Sequence, residues 1–197
     1  MADSDRQRWN ERYRQAAEAQ RDFAPAEWLV AMGPAIRPRY AGARALDIAS
    51  GTGNQALFLA SLGYTVDACD ISDVGLATLR AEIARRAVAG APSPVAPREV
   101  DLEHTPLPAA AYDLILDKHY LDRDLFGPLI RALRAGGLLI VHTFLYVPGG
   151  ANTARLSNPA HALQPGELYA AFAQSLELLE LTEDEAQETA HLVARAE

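Results

Sequence analysis

Leu46-Asp47-Ile48-Ala49-Ser50-Gly51-Thr52-Gly53 is the stretch on which the reading of this chain turns. An apolar run from Arg44 to Ala49 stops at a glycine turn, and Asn54 to Leu62 then reads as a helix ended by Gly63. Small residues in such a turn let backbone approach a ligand closely, and glycine tolerates positive φ. The N–H groups at the following helix start favour an anionic or carboxylate group. Taken alone, the turn is as readily a plain strand-to-helix connection as a binding site.

Outward from the turn the chain alternates regularly. Thr65–Asp70 is expected as a second strand, and Ser72 caps a helix to about Val88. Gly90–Pro97 reads as a loop, Arg98–Leu102 as a short third strand and Tyr112–Asp117 as a fourth. A helix over Arg123–Arg134 leads to a fifth strand at Gly137–Phe144. Strands alternating with helices imply a parallel sheet covered on both faces. Ahead of this core, Ser4 caps a helix to Glu18 on which Trp9, Tyr13, Ala16 and Ala17 recur at helical spacing. A second helix follows Pro25, with Trp28, Leu29 and Met32 on one side, and Pro34 and Pro38 end it. Behind the core, Leu145–Leu163 has no clear period, a helix begins near Pro165, and Leu176–Thr182 and Thr189–Ala196 read as antiparallel strands.

Two carboxylates give the glycine turn chemical meaning. Asp70 ends the second strand, 19 residues beyond Gly51, where a carboxylate is able to accept both hydroxyls of a ribose. Asp101 ends the expected third strand, at the rim where an adenine would lie. Gly51-x-Gly53-x-x-Ala56 also fits a dinucleotide fingerprint, so an NAD(P)-linked oxidoreductase is the alternative. Against it stands Asp47: a carboxylate near the strand end repels a pyrophosphate and holds the ammonium of an amino acid.

These residues resemble motif I of class I S-adenosylmethionine (SAM)-dependent methyltransferases, D/E-x-G-x-G-x-G, with Ala49 in place of the first glycine. The resemblance continues in order through Asp70-Ile71, Asp101-Leu102, Tyr112-Asp113-Leu114-Ile115 and Leu133-Arg134-Ala135-Gly136-Gly137-Leu138-Leu139. Trp9-Asn10-Glu11-Arg12-Tyr13 is similar to the W-x-x-R-Y pattern of the small bacterial tellurite-resistance and thiopurine-methyltransferase branch. Tyr120–Phe126 and Asn158-Pro159 to Leu168 look like one uncharacterised part of it. The resemblance implies one α/β domain over residues 1–197, with a helical lid at 1–40 and a Rossmann-like core at 41–197. The core would hold a seven-stranded, mostly parallel sheet with a C-terminal antiparallel hairpin. It implies SAM as cofactor, held by Trp9, Tyr13, Asp47, Ala49, Ser50, Gly51, Gly53, Asp70, Ile71, Asp101, Leu102 and Asp117. The expected activity is methyl transfer to a small acceptor: a thiol, oxyanion, hydroxyl or amine. A SAM-binding protein without catalytic activity shares all these features and is a further alternative.

Asp117, Lys118, His119 and Tyr120 follow the fourth strand, at the carboxyl edge where ligands of open α/β sheets bind. Tyr120, His119 and His142 are the candidate catalytic residues, with a histidine base needed only for a neutral hydroxyl or amine. A histidine inside a strand, as His142 is, is more simply a core residue. Arg123 is expected to pair with Asp122 or Asp124, and Cys69 to be a buried small hydrophobe. The single cysteine excludes an intramolecular disulfide, and no spacing suggests a metal. The net charge of −8 argues against a broad nucleic-acid surface. No apolar run is long enough to span a membrane and no secretory leader is visible, so the cytoplasm is the expected compartment.

Overall fold

Arg44–Ile48 (β1) is an apolar run because four of its five residues are buried, as in a strand covered on both faces. The computed structural model describes residues 2–18, 23–87, 93–156 and 159–197. The expected Asn158 match, the Val88 helix end and part of the Gly90–Pro97 loop lie outside the described residues, as do the side chains of Ala16 and Ala17. Two compact units make up the chain, Met1–Thr105 and Pro106–Glu197.

In the first unit the chain runs through α1 (Ala2–Glu18), α2 (Glu27–Met32), β1, α3 (Asn54–Leu62), β2 (Thr65–Asp70), α4 (Asp73–Arg86) and β3 (Val95–Glu99). α1 begins at Ala2, so Ser4 lies inside the helix rather than capping it. β1 ends at Ile48 because Ala49 turns into the left-handed region, φ 48°. β2 pairs in parallel with both β1 and β3. Buried Asp67 of β2 ties them together: its carboxylate accepts from Arg44 Nη2 and Arg98 Nε, each at 2.6 Å. Ser72 caps α4 as expected, accepting from the Gly75 N–H. The third strand corrects the sequence reading, since it spans Val95–Glu99 and not Arg98–Leu102. Pro97 discourages a strand assignment, but β3 lies at the sheet edge and Pro97 sits opposite Ala68. An edge strand tolerates a residue without an N–H.

The second unit contains β4 (Tyr112–Lys118), a 3-10 turn at Arg123–Leu125, α5 (Phe126–Ala132), β5 (Leu133–Phe144), α6 (Ala151–Arg155), a 3-10 turn at Pro159–His161, α7 (Glu167–Phe172), β6 (Glu177–Asp184) and β7 (Thr189–Arg195). The expected Arg123–Arg134 helix is broken in two. Pro128 lacks an N–H and its ring clashes with the carbonyl four residues back, that of Asp124, so the first turn is 3-10, capped by Asp122. The strand expected from Gly137 starts at Leu133. Gly136, φ 75°, takes up the irregularity where the pairing with β4 shifts register. β6 and β7 are antiparallel, as expected, and β7 is antiparallel to β5.

The seven strands form one sheet in the order β3-β2-β1-β4-β5-β7-β6. This is a Rossmann-like, mostly parallel α/β sheet with two antiparallel strands at its C-terminal end. Among the described residues no helix is long and apolar enough to cross a membrane.

Candidate functional site

In the first unit, the turn between β1 and α3 carries three successive departures from ordinary backbone. Ala49, Gly51 and Gly53 have φ of 48°, 56° and 78°. Glycine removes the strain at two of these positions; Ala49 retains it, because a Cβ in the left-handed region meets the following carbonyl. Space adds a second constraint. A Cβ on Gly53 would overlap the Leu79 side chain, and one on Gly51 would overlap the Tyr13 hydroxyl. Asp47 is buried at the end of β1. Ser50 donates its N–H to Cys69 O at 2.9 Å, tying the turn to β2. Its Oγ is buried and makes no hydrogen bond among the described residues.

Asp70 is the organiser of this turn. Its Oδ2 accepts from Gly51 N and its Oδ1 from Ser72 N, both at 2.7 Å. Burial pushes the carboxyl up from its usual range, opposed by the N–H groups of Ser72, Gly51 and Ile71. The carboxylate expected at a ribose is thus also the clamp that shapes the turn. Its two oxygens offer about four lone-pair directions, so acceptance from protein N–H groups leaves capacity for a ligand hydroxyl.

Tyr13 approaches the turn from α1. A Cβ on Gly75 would stand 3.0 Å from Tyr13 Cε2, so the ring lies between two glycines, Gly51 and Gly75. Trp9 stacks on Tyr13 with centroids 6.0 Å apart, and the Arg12 guanidinium lies 5.1 Å over the Trp9 ring. Asn10, not singled out from sequence, docks the helix. Its amide donates to Asp73 at 2.6 Å and its oxygen accepts from Ser72 Oγ at 2.6 Å. The signal was available: Asn10 lies between Trp9 and Tyr13 on the same helix, and a buried polar side chain needs partners.

Asp101 lies beyond β3 rather than at its end. Its carboxylate accepts from Glu103 N at 3.1 Å and faces His104 Nδ1 at 2.8 Å. Ile71 is half-buried and Leu102 buried. Cys69, inside β2, is buried, and its thiol is pushed up to about 12, mainly by burial and then by Asp67. It packs as the small hydrophobe expected and is not an active thiol.

The second unit brings together His119 and His142, candidates from sequence, with Phe144 and His191, which were not. Lys118 and His142 are register partners in β4 and β5, and His142 and His191 are partners in β5 and β7. The His142 ring lies 5.8 Å from that of His119 and 5.6 Å from that of His191. His119, left-handed at φ 60°, donates its N–H to His142 O at 2.9 Å, and its ring stacks on Phe144 at 4.7 Å. Burial, then His191 and Lys118, hold His142 down to about 4. It is therefore neutral near pH 7 and a weak base. Asp117 is buried and accepts from Tyr120 N at 3.3 Å, so it shapes the turn on which Tyr120 stands.

The Leu145–Leu163 segment is not the aperiodic loop expected. It contains α6 and a 3-10 turn, and it opens and closes with a parallel bridge between Leu145 and Leu163, both buried. Arg123 corrects a further expectation. It pairs with Glu167, at 3.0 Å from Nη2 to Oε2, and donates to the carbonyls of Ala160 and Ala162 rather than to Asp122 or Asp124. Sequence spacing cannot find a partner 44 residues away.

The fold has many solved counterparts. TehB from Haemophilus influenzae superposes with a TM-score of 0.71 at 17% identity, over 92% of this chain and 66% of that one. A SAM-dependent methyltransferase from Mesorhizobium loti gives 0.64 at 21%, over 87% of this chain and 98% of that one. The [4+2]-cyclase SpnF gives 0.68 at 18%, over 90% and 84%. The same fold therefore carries more than one reaction. Among curated proteins, no sequence matches. Residues 45–137 match the methyltransferase domain family, and the chain as a whole has the fold of the SAM-dependent methyltransferases.

Proposed function

We propose that this chain is a cytoplasmic, single-domain methyltransferase that moves a methyl group from SAM to a small-molecule acceptor. The observation that carries this reading is the turn at residues 49–53, shaped by Asp70 and left with a buried, unused Ser50 Oγ. That turn fits the cofactor. Gly51 and Gly53 leave the turn without side chains at two of its positive-φ positions, so that a ligand can approach its backbone closely. Ser50 offers a buried hydroxyl with no hydrogen-bond partner among the described residues. Asp47 disfavours a pyrophosphate, which separates this reading from an NAD-linked one.

When bound, SAM supplies a methyl carbon already activated by a sulfonium. The chain's task is to bind, orient and exclude water. Gly51, Gly53, Ser50 and Ala49 would cradle the amino-acid end, with Asp47 offering a carboxylate. Asp70 would accept the ribose hydroxyls, and Ile71, Asp101 and Leu102 would border the adenine. Trp9 and Tyr13 would cover the cofactor, their aromatic faces favourable beside a cation. A thiolate or oxyanion acceptor needs no base. For a neutral hydroxyl or amine, His119 is better suited than His142, which is held neutral to about pH 4, and Tyr120 would orient the acceptor.

Calorimetry with SAM and S-adenosylhomocysteine, with NADH as control, tests the cofactor. Methyl-labelled SAM with sodium tellurite, thiophenol, catechol and benzylamine tests the acceptor class. Micromolar SAM binding with label transferred to one of these is expected. Heat from NADH and none from SAM overturns the reading; SAM binding with no transfer to any of the four overturns its acceptor half.

A further inference from the structure

One residue of the β6–β7 turn holds two parts of the Leu145–Leu163 segment. Glu188 is buried, with φ 54°, a conformation that L residues rarely adopt and that such turns usually give to glycine or asparagine. Its carbonyl accepts from Leu145 N at 2.9 Å, at the segment's first residue. Its carboxylate reaches the start of α6: Oε1 accepts from Asn152 N at 3.0 Å, and Oε2 from Thr153 N at 2.8 Å and Thr153 Oγ1 at 3.1 Å. These N–H groups have no partner within a helix so short. The hold is reinforced on both sides. Asn152 Nδ2 donates to Gln187 O at 3.2 Å, and Thr153 Oγ1 accepts from Val147 N at 3.1 Å. Gly150 makes room for the carboxylate, because a Cβ there would overlap it, although its own φ of −66° suits any residue. The far end of the segment is fixed separately, by Arg123 on the carbonyls of Ala160 and Ala162.

A left-handed, buried glutamate is a costly way to close a hairpin, and strain of this kind is retained where surrounding structure holds it for a purpose. We infer that Glu188 is a positioning residue for the acceptor: by clasping α6 and the first residue of the segment, it sets the geometry of the strap that meets the methyl acceptor. This takes the Leu145–Leu163 segment, which leaves the carboxyl end of β5 at the edge where ligands of open α/β sheets bind, to meet the acceptor, and so it rests on the proposed activity. It assigns that role's control to a turn outside the segment.

The clasp is tested first without any acceptor, by hydrogen exchange on the full chain. Glu188→Ala should raise exchange at Asn152 and Thr153 by about tenfold, the effect of removing a helix cap. Gly150→Ala should do the same from the opposite side by displacing the carboxylate. In the double variant the alanine at 150 should add nothing, because the group it displaces is gone. Glu188→Gln keeps one accepting oxygen and should fall between Glu188→Ala and the parent chain. Unchanged exchange in Glu188→Ala, or additive effects in the double variant, overturns the clasp.

The second arm uses whichever of tellurite, thiophenol, catechol or benzylamine accepts label. Loss of the clasp should raise the acceptor KM by roughly fivefold or more while kcat and SAM affinity stay within about twofold. Glu188→Gln should restore part of the KM. Loosened exchange with an unchanged acceptor KM overturns the positioning role while leaving the proposed activity intact. If none of the four accepts label, the acceptor reading itself has failed, and the positioning role falls with it, whatever the exchange shows.

Discussion

Replacing Asp70 by alanine separates the residue's two roles. The carboxylate accepts from Gly51 N and Ser72 N in a site where it is only 5% exposed. Its removal leaves both N–H groups buried, at about 1–3 kcal/mol for each donor left unsatisfied. Part of this is offset, because the same substitution removes a carboxylate whose charged form is disfavoured by burial. The net expected loss of stability is about 2–4 kcal/mol. For a chain of this length that lowers Tm by roughly 5–15 °C. Urea and thermal unfolding without ligand measure it. Calorimetry at a temperature where the variant is folded then measures SAM affinity, expected to fall at least about tenfold, since charge-assisted hydrogen bonds contribute about 1.5–3 kcal/mol. Stability within about 0.5 kcal/mol of the parent, outside any mechanism for a large loss, would refute the clamp. Asp70 would then act on the ligand alone.

Ala49→Gly should stabilise the chain by about 0.5–1 kcal/mol, since relief of left-handed strain exceeds the entropy glycine adds to the unfolded state; an equal or lower urea midpoint contradicts it. Cys69, buried with its thiol raised to about 12, should resist thiol reagents in the folded state and react on unfolding, so rapid native labelling refutes the assignment. His142 titrates near 4 in the folded chain and near 6.5 when unfolded. Between those values the unfolded state takes up a proton that the native state does not, so stability falls as pH drops through this window and levels off below it. NMR titration of the ring nitrogens checks this, and a folded-state midpoint near 6.5 would contradict it.

Local pattern alone determined much of the architecture. β1, α3, β2 and the Ser72 cap were legible because buried parallel strands are continuous apolar runs and helix ends carry glycine or a hydroxyl. The β6–β7 hairpin was legible because a short acidic connection permits only antiparallel pairing. The turn at 49–53 was visible for the same reason: its chemistry is contained in consecutive residues. Tertiary structure decided the rest. Pro97 made β3 look like loop, and only its place at the sheet edge makes the strand tolerable. Period could not reveal the early start of β5, because Gly136 and Gly137 interrupt it. The docking of α1 by Asn10, the Arg123–Glu167 pair and the Glu188 clasp join residues 63, 44 and 35 positions apart. Such contacts leave no periodic trace. A buried polar group selects its partner by distance and direction in the folded chain, not by spacing along the sequence.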